Sequence, residues 1–293
     1  MDRYLIINAD DFGMCRGANL AVMELLKNEK SALTCAWAPE ACRFAAENPE
    51  LAIGVHLTLT SEWSKYRWAP VNAEHTASLR DEEGYMWHES DQVEEHVDLD
   101  EVEGEIRAQI ERCRRLGLTN PSHLDNHMGS LYGIETGRFE LLELTLSLAG
   151  EYGLPFRFPG SFTEAQFNNT MLDINIDKSM IEMVFGKVVA FAKQQGVAIP
   201  DYLMPNEWNE PQTQSYEQFR EYLYDLYASI PEGVTETYLH PAKESDDLKG
   251  TSSVWERRVW EYRVMSDPAT KQHIEAHGIK LINYRDLAAM RKA

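Results

Sequence analysis

Short strand-like runs alternate with longer amphipathic stretches along nearly the whole chain, and this alternation limits the possible folds more than any other feature. Such alternation is the pattern of βα units arranged around a parallel sheet or barrel. About eight units of this kind suit a (β/α) barrel, with a doubly wound open sheet as the alternative.

The predicted elements follow from these runs. We predict strands over residues 4–9, 32–38, 52–59, 122–125, 156–158, 202–204, 234–239 and 280–282. We predict helices over residues 17–27, 102–116, 139–152, 178–195, 216–228, 254–264 and 284–292.

No linker rich in proline, serine or glycine divides the chain, so residues 1–293 are interpreted as a single catalytic domain. The longest irregular region is a loop insertion over residues 60–100, which carries Trp63 and Trp68 among many charges. Loops of that length inside a compact domain are often lids or binding loops. We therefore expect it near the rim of the active site, where its aromatic rings could stack on a sugar.

The charge balance narrows the classes of partner. The chain has 28 Lys and Arg against 48 Asp and Glu, a formal net charge of -20. This charge repels phosphate backbones and anionic lipids, so neither a nucleic acid nor a membrane partner is expected. A small carbohydrate fits better. If the chain associates with itself, a homodimer is the common default.

The cysteines and the apolar runs indicate the compartment. The four cysteines form no CxxC pair, and no N-terminal stretch resembles a signal peptide. No apolar run approaches the roughly 18 residues that a membrane-spanning helix needs. These features predict a soluble protein in a reducing, cytoplasmic setting.

Two adjacent carboxylates, Asp10 and Asp11, end the first predicted strand. Like charges side by side are costly unless a cation, a proton or a substrate compensates them. An Asx turn or a helix N-cap would also explain an Asp here, but one Asp would suffice for that.

Four predicted strands end in ionisable residues at alternate positions, which places those residues on one face of each strand. The carboxyl ends of barrel strands form one rim, so the four sets would meet there. They are Asn8 and Asp10; His56, Thr58 and Thr60; His123, Asp125 and His127; and Glu236, Tyr238 and His240.

This set of residues favours metal chemistry over glycoside hydrolysis. Glycosidase carboxyls flank the scissile bond about 5–9.5 Å apart, whereas adjacent acids suit a base beside a metal ligand. The His-x-Asp-x-His spacing of His123, Asp125 and His127 adds imidazoles, which are common zinc ligands. Two neutral imidazoles and one carboxylate would make an open three-ligand site.

The ordered motifs resemble those of the YdjC-like carbohydrate deacetylases, which include the chitooligosaccharide deacetylases. The similar segments are Asn-Ala-Asp-Asp-Phe-Gly (8–13), Gly-Val-His-Leu-Thr-Leu-Thr (54–60), Pro-Ser-His-Leu-Asp-Asn-His (121–127) and Thr-Glu-Thr-Tyr-Leu-His-Pro (235–241), with Tyr-Arg-Asp (284–286) near the end. The chain departs from the family where Met128 and Gly129 replace a further alternating histidine. The resemblance implies an irregular (β/α) barrel of about seven to eight strands.

The resemblance also implies roles for individual residues. Asp11, His56 and His127 would hold one divalent metal ion, with Asp10 as general base and His240 as general acid. The expected substrate is an N-acetylated carbohydrate such as an N-acetylglucosamine oligosaccharide. The residues expected to support the ligands or bind substrate are His123, Asp125, Arg157, Glu236, Trp63 and Trp68.

The metal is expected to be magnesium or zinc, and cobalt, nickel or manganese would also suit these ligands. Two alternatives to a carbohydrate deacetylase remain open. One is a metal-dependent amidohydrolase or esterase acting on a non-sugar acyl group. The other is a catalytically silent carbohydrate-binding barrel, although such a protein would not need both an acid and a base.

Overall fold

A computed structural model describes residues 2–27, 31–32, 37–163, 178–206 and 208–292. Within them the chain is an α/β structure in which every paired strand runs parallel to its neighbours. This confirms the α/β class and the parallel pairing that the alternating pattern predicts.

The main sheet has five strands with β1 (Arg3–Ala9) at its centre. β1 pairs along its full length with β6 (Gly233–Leu239), and β6 pairs with β5 (Tyr202–Leu203). On its other side β1 pairs with β7 (Ile279–Leu281) at its start and with β2 (Ser31–Ala32) at its end. Leu5, Ile6 and Ile7 are all buried, as expected of a parallel strand covered on both faces.

A second sheet consists of β3 (Val55–Leu57) and β4 (Leu124–Asn126). Leu124 N–H donates to Pro155 O and Phe156 N–H donates to Ala198 O, so the segment around Phe156 connects β4 to the chain that precedes β5. The described strands belong to two sheets, and the closed barrel that we expected is not shown. The strand predicted over 156–158 is wrong, since Phe156 makes only an isolated bridge to Leu124.

Two other strand predictions need correction. The strand predicted over 52–59 is confined to Val55–Leu57. Of the strand predicted over 32–38, residues 33–36 lie outside the described part, and Ala38 begins a helix. Only Val55, His56 and Leu57 pair with residues of β4, so the strand is shorter than its apolar alternation, which continues to Leu59.

Helices separate most of the strands along the described chain. They are α1 (Arg16–Leu26), α2 (Ala38–Glu47), α3 (Ser90–His96), α4 (Leu99–Arg115), α5 (Glu140–Tyr152), α6 (Lys178–Gln194), α7 (Tyr216–Ala228), α8 (Asp246–Thr251), α9 (Trp255–Ser266), α10 (Pro268–Ala276) and α11 (Tyr284–Lys292). The sequence did not predict α2, α3, α8 and α10, which are short. None of the helices in the described ranges is long and apolar enough to span a bilayer.

α4 illustrates how the sequence sets a helix and its packing. Asp98 caps its start by accepting hydrogen bonds from the N–H groups of Asp100 and Glu101, and arginines fill its last turn. Val102, Ile106 and Ile110 recur at i+4 spacing and are fully buried, so one face of the helix packs into the core.

The loop insertion over residues 60–100 is more regular than expected, because it contains the helix α3. It is also tied to α4 by a buried glutamate. The N–H groups of Val71 and Asn72 each donate to the Glu105 carboxylate at 2.8 Å. Because two consecutive loop amides bond to a carboxylate of α4, this part of the insertion is held in a fixed position against that helix.

Candidate active site

The two adjacent aspartates diverge because of a backbone turn at Asp11. Asp10 extends the strand ladder, with its N–H donating to Leu239 O at 2.7 Å. Asp11 has a φ of 62°, a left-handed conformation that is uncommon outside glycine. The two carboxylates therefore leave the strand in different directions, and each meets a different set of partners.

The carboxylate of Asp11 lies against two imidazoles. Its Oδ1 is 3.6 Å from His56 Nε2 and 3.6 Å from His127 Nδ1, and the two ring nitrogens are 3.3 Å apart. All three residues are buried. Three potential ligand atoms from three separate segments thus share one small space.

Each imidazole is oriented by a carboxylate on its other nitrogen. His56 Nδ1 is 2.8 Å from Asp125 Oδ1, and His127 Nε2 is 3.0 Å from Glu62 Oε2. Carboxylates in this position fix the ring and the tautomer of a metal-binding histidine. Each ring is thereby held with one nitrogen facing Asp11.

Glu62 was not predicted to belong to the site, although the sequence holds a signal for it. Continuing the alternation of His56, Thr58 and Thr60 by one step reaches Glu62. The strand ends at Leu57, so the pattern alone could not guarantee that this side chain stays on the same face.

Arg258 is a second unpredicted member. Its Nη1 lies 2.8 Å from Asp11 Oδ2, and its side chain is buried on α9. Burial opposes ionisation of Asp11, but Arg258 and the imidazoles hold the pKa of this carboxyl well below its usual range. Arg258 stands beside Arg257 in a charged helix, and nothing in that pattern distinguishes it.

The donors around Asp11 fit a single divalent cation. Metal–donor bonds of about 2.0–2.2 Å in a tetrahedral arrangement place neighbouring donors about 3.4 Å apart. The separations of 3.3–3.6 Å between Asp11, His56 and His127 match that spacing. Oδ1 of Asp11 is also buried without a hydrogen-bond partner, which is costly unless a cation compensates it.

A second group of close donors, Asp10, His56 and Asp125, fits a cation less well. Arg157 Nη2 already lies 2.7 Å from Asp10 and 2.8 Å from Asp125. The guanidinium supplies the positive charge that a metal would bring. The group around Asp11 is therefore the candidate metal centre.

Arg157 also sets the protonation state and the orientation of the Asp10 carboxyl group. Its Nη1 and Nη2 donate to the two carboxylate oxygens of Asp10, both at 2.7 Å. Burial opposes ionisation, but the guanidinium outweighs it and lowers the pKa of Asp10. A bidentate partner of this kind also fixes the carboxylate plane beside the candidate metal centre.

Glu236 binds the Nε edge of Arg157, away from the Nη atoms that bind Asp10. Its Oε1 accepts from Arg157 Nε at 2.8 Å, and Oε2 accepts from the Tyr284 hydroxyl. Burial raises the pKa of Glu236 to about 7, with a further contribution from the charge of Asp125, although Arg157 and the Tyr284 hydroxyl act to lower it. Glu236 was predicted to support ligands or bind substrate, and it contacts neither Asp11 nor an imidazole ligand in the described contacts.

His240 directly follows β6, one residue after Leu239, the backbone partner of Asp10. Its N–H donates to Glu261 at 2.7 Å, which fixes the backbone at the end of the strand. Burial lowers the pKa of His240, while the charges of Asp11 and Asp10 favour its protonated form.

The structure places His123 deeper than the other histidines. Its ring stacks on Tyr284 with centroids 3.8 Å apart, and its Nδ1 is 2.8 Å from Ser122 Oγ. Gly54 makes room for it, because a Cβ at residue 54 would lie 2.6 Å from the ring. His123 is therefore packed between Tyr284 and Gly54, and among the described contacts it has none with Asp11, His56 or His127.

The two tryptophans of the insertion flank the candidate metal centre. Trp68 lies 6.3 Å from His127 between ring centroids, and the Arg258 guanidinium lies 5.7 Å from the Trp63 ring. Both indole N–H groups are buried without a hydrogen-bond partner.

Comparisons with known proteins find similarity along nearly the whole chain. The family model described as YdjC-like protein matches residues 4–276. A carbohydrate deacetylase of Enterococcus faecalis is 32% identical over 98% of this chain and 99% of its own length. A chitooligosaccharide deacetylase of Yersinia enterocolitica is 26% identical over 98% of this chain and 100% of its own length.

A solved structure is similar over the same extent. It is the crystal structure of an Enterococcus faecalis V583 protein named for cellobiose-phosphate cleavage. It has a TM-score of 0.74 and 31% identity, covering 98% of this chain and 99% of the other.

Proposed function

Since the chain belongs to the YdjC-like protein family, we propose that it is a metal-dependent deacetylase that removes the N-acetyl group of a carbohydrate. The observation that carries the proposal is that the adjacent residues Asp10 and Asp11 have different partners. Asp11 faces two imidazoles at 3.6 Å, while Asp10 is held ionised by Arg157 beside them.

Asp11, His56 and His127 would hold one divalent cation, and magnesium or zinc are the first candidates. A cation at this position supplies Lewis acidity, which polarises a carbonyl oxygen and makes water more acidic. Cobalt, nickel and manganese suit the same ligands. The proposal is therefore one divalent cation held by three protein donors.

Asp10 acts as the general base. Its carboxylate accepts a proton from the water that attacks the acetyl carbonyl, and the bidentate contact with Arg157 keeps it ionised and aligned. A positioned base of this kind contributes about 100- to 10,000-fold to the rate.

His240 acts as the general acid. It donates a proton to the nitrogen of the leaving amine when the tetrahedral intermediate collapses, so acetate and a free amino sugar are released. Burial lowers the pKa of His240, and the charges of Asp11 and Asp10 oppose that lowering in favour of the protonated imidazole that this step requires. The acid and the base come from neighbouring strands, because the end of β1 pairs with the end of β6.

A carbohydrate substrate is supported by the names of the relatives and by the surroundings of the site. Trp63 and Trp68 lie close to Arg258 and His127, where an aromatic face would stack on a sugar ring. We propose an N-acetylglucosamine oligosaccharide as the substrate and residues 1–293 as one catalytic domain. The 60–100 insertion contributes part of the rim through Glu62.

The direct test is acetate release from N-acetylglucosamine oligomers by the purified protein, before and after removal of metal with a chelator. We expect release that stops on chelation and returns with zinc or magnesium. Full activity in the stripped protein would overturn the metal-dependent mechanism. Activity on non-sugar acetamides or acetyl esters alone would instead identify a different acyl hydrolase, and binding without turnover would identify a silent carbohydrate-binding protein.

Three variants separate the proposed roles. Asp10→Asn should lower kcat by about 100- to 10,000-fold with its metal content intact. His127→Ala should lower the metal content measured by elemental analysis. His277→Ala, which removes an exposed histidine, should change neither quantity.

A further inference from the structure

We infer that Tyr284, the first residue of α11, is a positioning residue for the general base. It holds Glu236, which holds Arg157, which in turn holds Asp10. The inference rests on the proposed function, because it takes Asp10 to be the base. It adds a residue from the last helix of the chain to the machinery of the reaction.

The side chains form one continuous series of contacts. The Tyr284 hydroxyl donates to Oε2 of Glu236, and Oε1 of the same carboxylate accepts from Arg157 Nε at 2.8 Å. Arg157 then donates from both Nη atoms to Asp10 at 2.7 Å. Glu236 and Arg157 are therefore each held at two points along the series.

The series is closed to solvent. Tyr284 and Glu236 are each 0% exposed, and Arg157 and Asp10 are each 3% exposed. Water is therefore unavailable to replace a lost contact without rearrangement, and a buried polar atom without a partner is costly. Removing one link is expected to move the next one.

Tyr284 is itself rigidly held. Its ring stacks on His123 at a centroid distance of 3.8 Å and an angle of 9°. His123 in turn fills the space that Gly54 leaves open. The stacking fixes the plane of the phenol, so the hydroxyl reaches Glu236 from one direction.

Arg157 has an ionic partner at Nε as well as at its Nη atoms, and the Tyr238 ring lies 4.8 Å from its guanidinium. Asp10 binds the Nη edge and Asp125 binds Nη2, and neither contact restrains the Nε edge of the guanidinium. Glu236 supplies that restraint. A displacement of about 1 Å in a catalytic group can reduce the rate 100-fold, so loss of this restraint would affect turnover.

The test is the variant Tyr284→Phe, which keeps the stacked ring and removes the hydroxyl. We expect kcat to fall about 10- to 100-fold, as is typical for residues that orient catalytic groups. KM should change less than twofold, and the metal content should stay at the wild-type level. Wild-type kcat in this variant would overturn the inference.

Tyr227→Phe is the matched control. Tyr227 is also 0% exposed, but its hydroxyl lies near Met265 Sδ in the helical layer. We expect this variant to keep the wild-type kcat. An equal loss in both variants would show that removing any buried hydroxyl lowers activity, and would also overturn the inference.

Glu236→Gln gives a second, independent test, and it carries the test alone if Tyr284→Phe does not fold. It should lower kcat with KM unchanged. If both residues act through Arg157, the double variant should be no worse than the more impaired single variant. Multiplicative losses would show that the two act separately and would contradict the inference.

Crystal structures separate this inference from the proposed function. In Tyr284→Phe, at least one of the two contacts between Arg157 and Asp10 should be lost, whether or not the protein releases acetate. An unchanged bidentate pair would refute the positioning role alone. A wild-type protein that releases no acetate, with the pair disturbed in the variant, would refute the proposed function alone.

Discussion

The Nη1 atom of Arg258 lies 2.8 Å from Oδ2 of Asp11, while the other oxygen of that carboxylate faces the imidazoles of His56 and His127. Asp11 is thus shared between a fixed cation of the protein and the position proposed for a metal ion. This arrangement keeps a buried carboxylate paired in the metal-free protein, and it opposes metal binding electrostatically.

Arg258→Met should therefore have opposite effects on stability and on metal-induced stabilisation. Removing one partner of a buried ion pair costs roughly 3–5 kcal/mol, so the thermal midpoint of the metal-free variant should fall. Added zinc or magnesium should raise the midpoint more in the variant than in the wild type, because the cation then compensates an unpaired Asp11. Differential scanning calorimetry with and without metal measures both effects.

The matched control for this experiment is Arg257→Met. Arg257 pairs with Glu261 and does not contact Asp11 in the described contacts. Its metal-induced shift should equal that of the wild type. Equal shifts in all three proteins would show that Arg258 does not influence the candidate metal centre.

Glu62→Ala should weaken metal binding. Glu62 lies 3.0 Å from Nε2 of His127 and holds the ring with Nδ1 facing Asp11. Loss of such a partner typically lowers metal affinity about 10- to 100-fold. Competition with a chromophoric chelator measures the affinity, and exposed Glu50→Ala is the control. An unchanged affinity in Glu62→Ala would remove Glu62 from the site.

Gly54→Ala should destabilise the protein because residue 54 packs against His123 too closely to leave room for a methyl group. A Cβ at residue 54 would lie 2.6 Å from two ring atoms of His123 and 2.7 Å from its carbonyl oxygen. Overpacking of this kind costs about 1–3 kcal/mol. Denaturant unfolding measures the loss.

Gly186→Ala is the contrasting variant. Gly186 is exposed within α6, and a Cβ there would meet no atom within 4 Å. Replacing a helical glycine by alanine should therefore stabilise the protein by about 0.5–1 kcal/mol. Similar effects of the two substitutions would contradict the close packing of Gly54 against His123.

Glu236 should make stability fall as the pH rises. Burial raises its pKa to about 7 in the folded protein, from the 4.5 of an ordinary glutamate side chain. Between these values the folded state binds more protons than the unfolded state, so the free energy of unfolding decreases with increasing pH. The full loss above pH 7 is about 3 kcal/mol, from the value of 1.36 kcal/mol per pKa unit.

Comparison with Glu236→Gln isolates this contribution, because glutamine does not titrate. The free energy of unfolding should be measured in denaturant from pH 5 to pH 8 for both metal-free proteins. Relative to the wild type, the variant should become more stable as the pH rises. A difference between the two proteins that does not depend on pH would show that Glu236 is ionised throughout.

The sequence predicted most of the long elements. Helices over Tyr216–Ala228 and Tyr284–Lys292 have the bounds that amphipathic periodicity indicated, and β1 and β6 lie within one residue of their predicted bounds. Short elements such as α3 and α10 were missed, since seven or nine residues give too little periodicity to detect. The resemblance to the YdjC-like family is confirmed by the match over residues 4–276.

The ends of the strands were informative because parallel strands deliver their carboxyl ends to one edge. That rule, together with the alternation of side chains between the two faces of a strand, placed Asp10, His56, Asp125 and His127 among the residues predicted to meet at this edge. The structure brings these four residues together. Their proposed roles stay predictions until the variants are measured.

Tertiary structure alone decided which side chains complete the site. Arg258 comes from a helix and Tyr284 from the last helix, and their packing against the strands depends on the whole fold. Local periodicity carries no information about such distant partners. The sequence thus determined the strands, the residues at their ends and Arg157 as a candidate, whereas long-range packing decided that Arg258 pairs with Asp11 and that Tyr284 reaches Glu236.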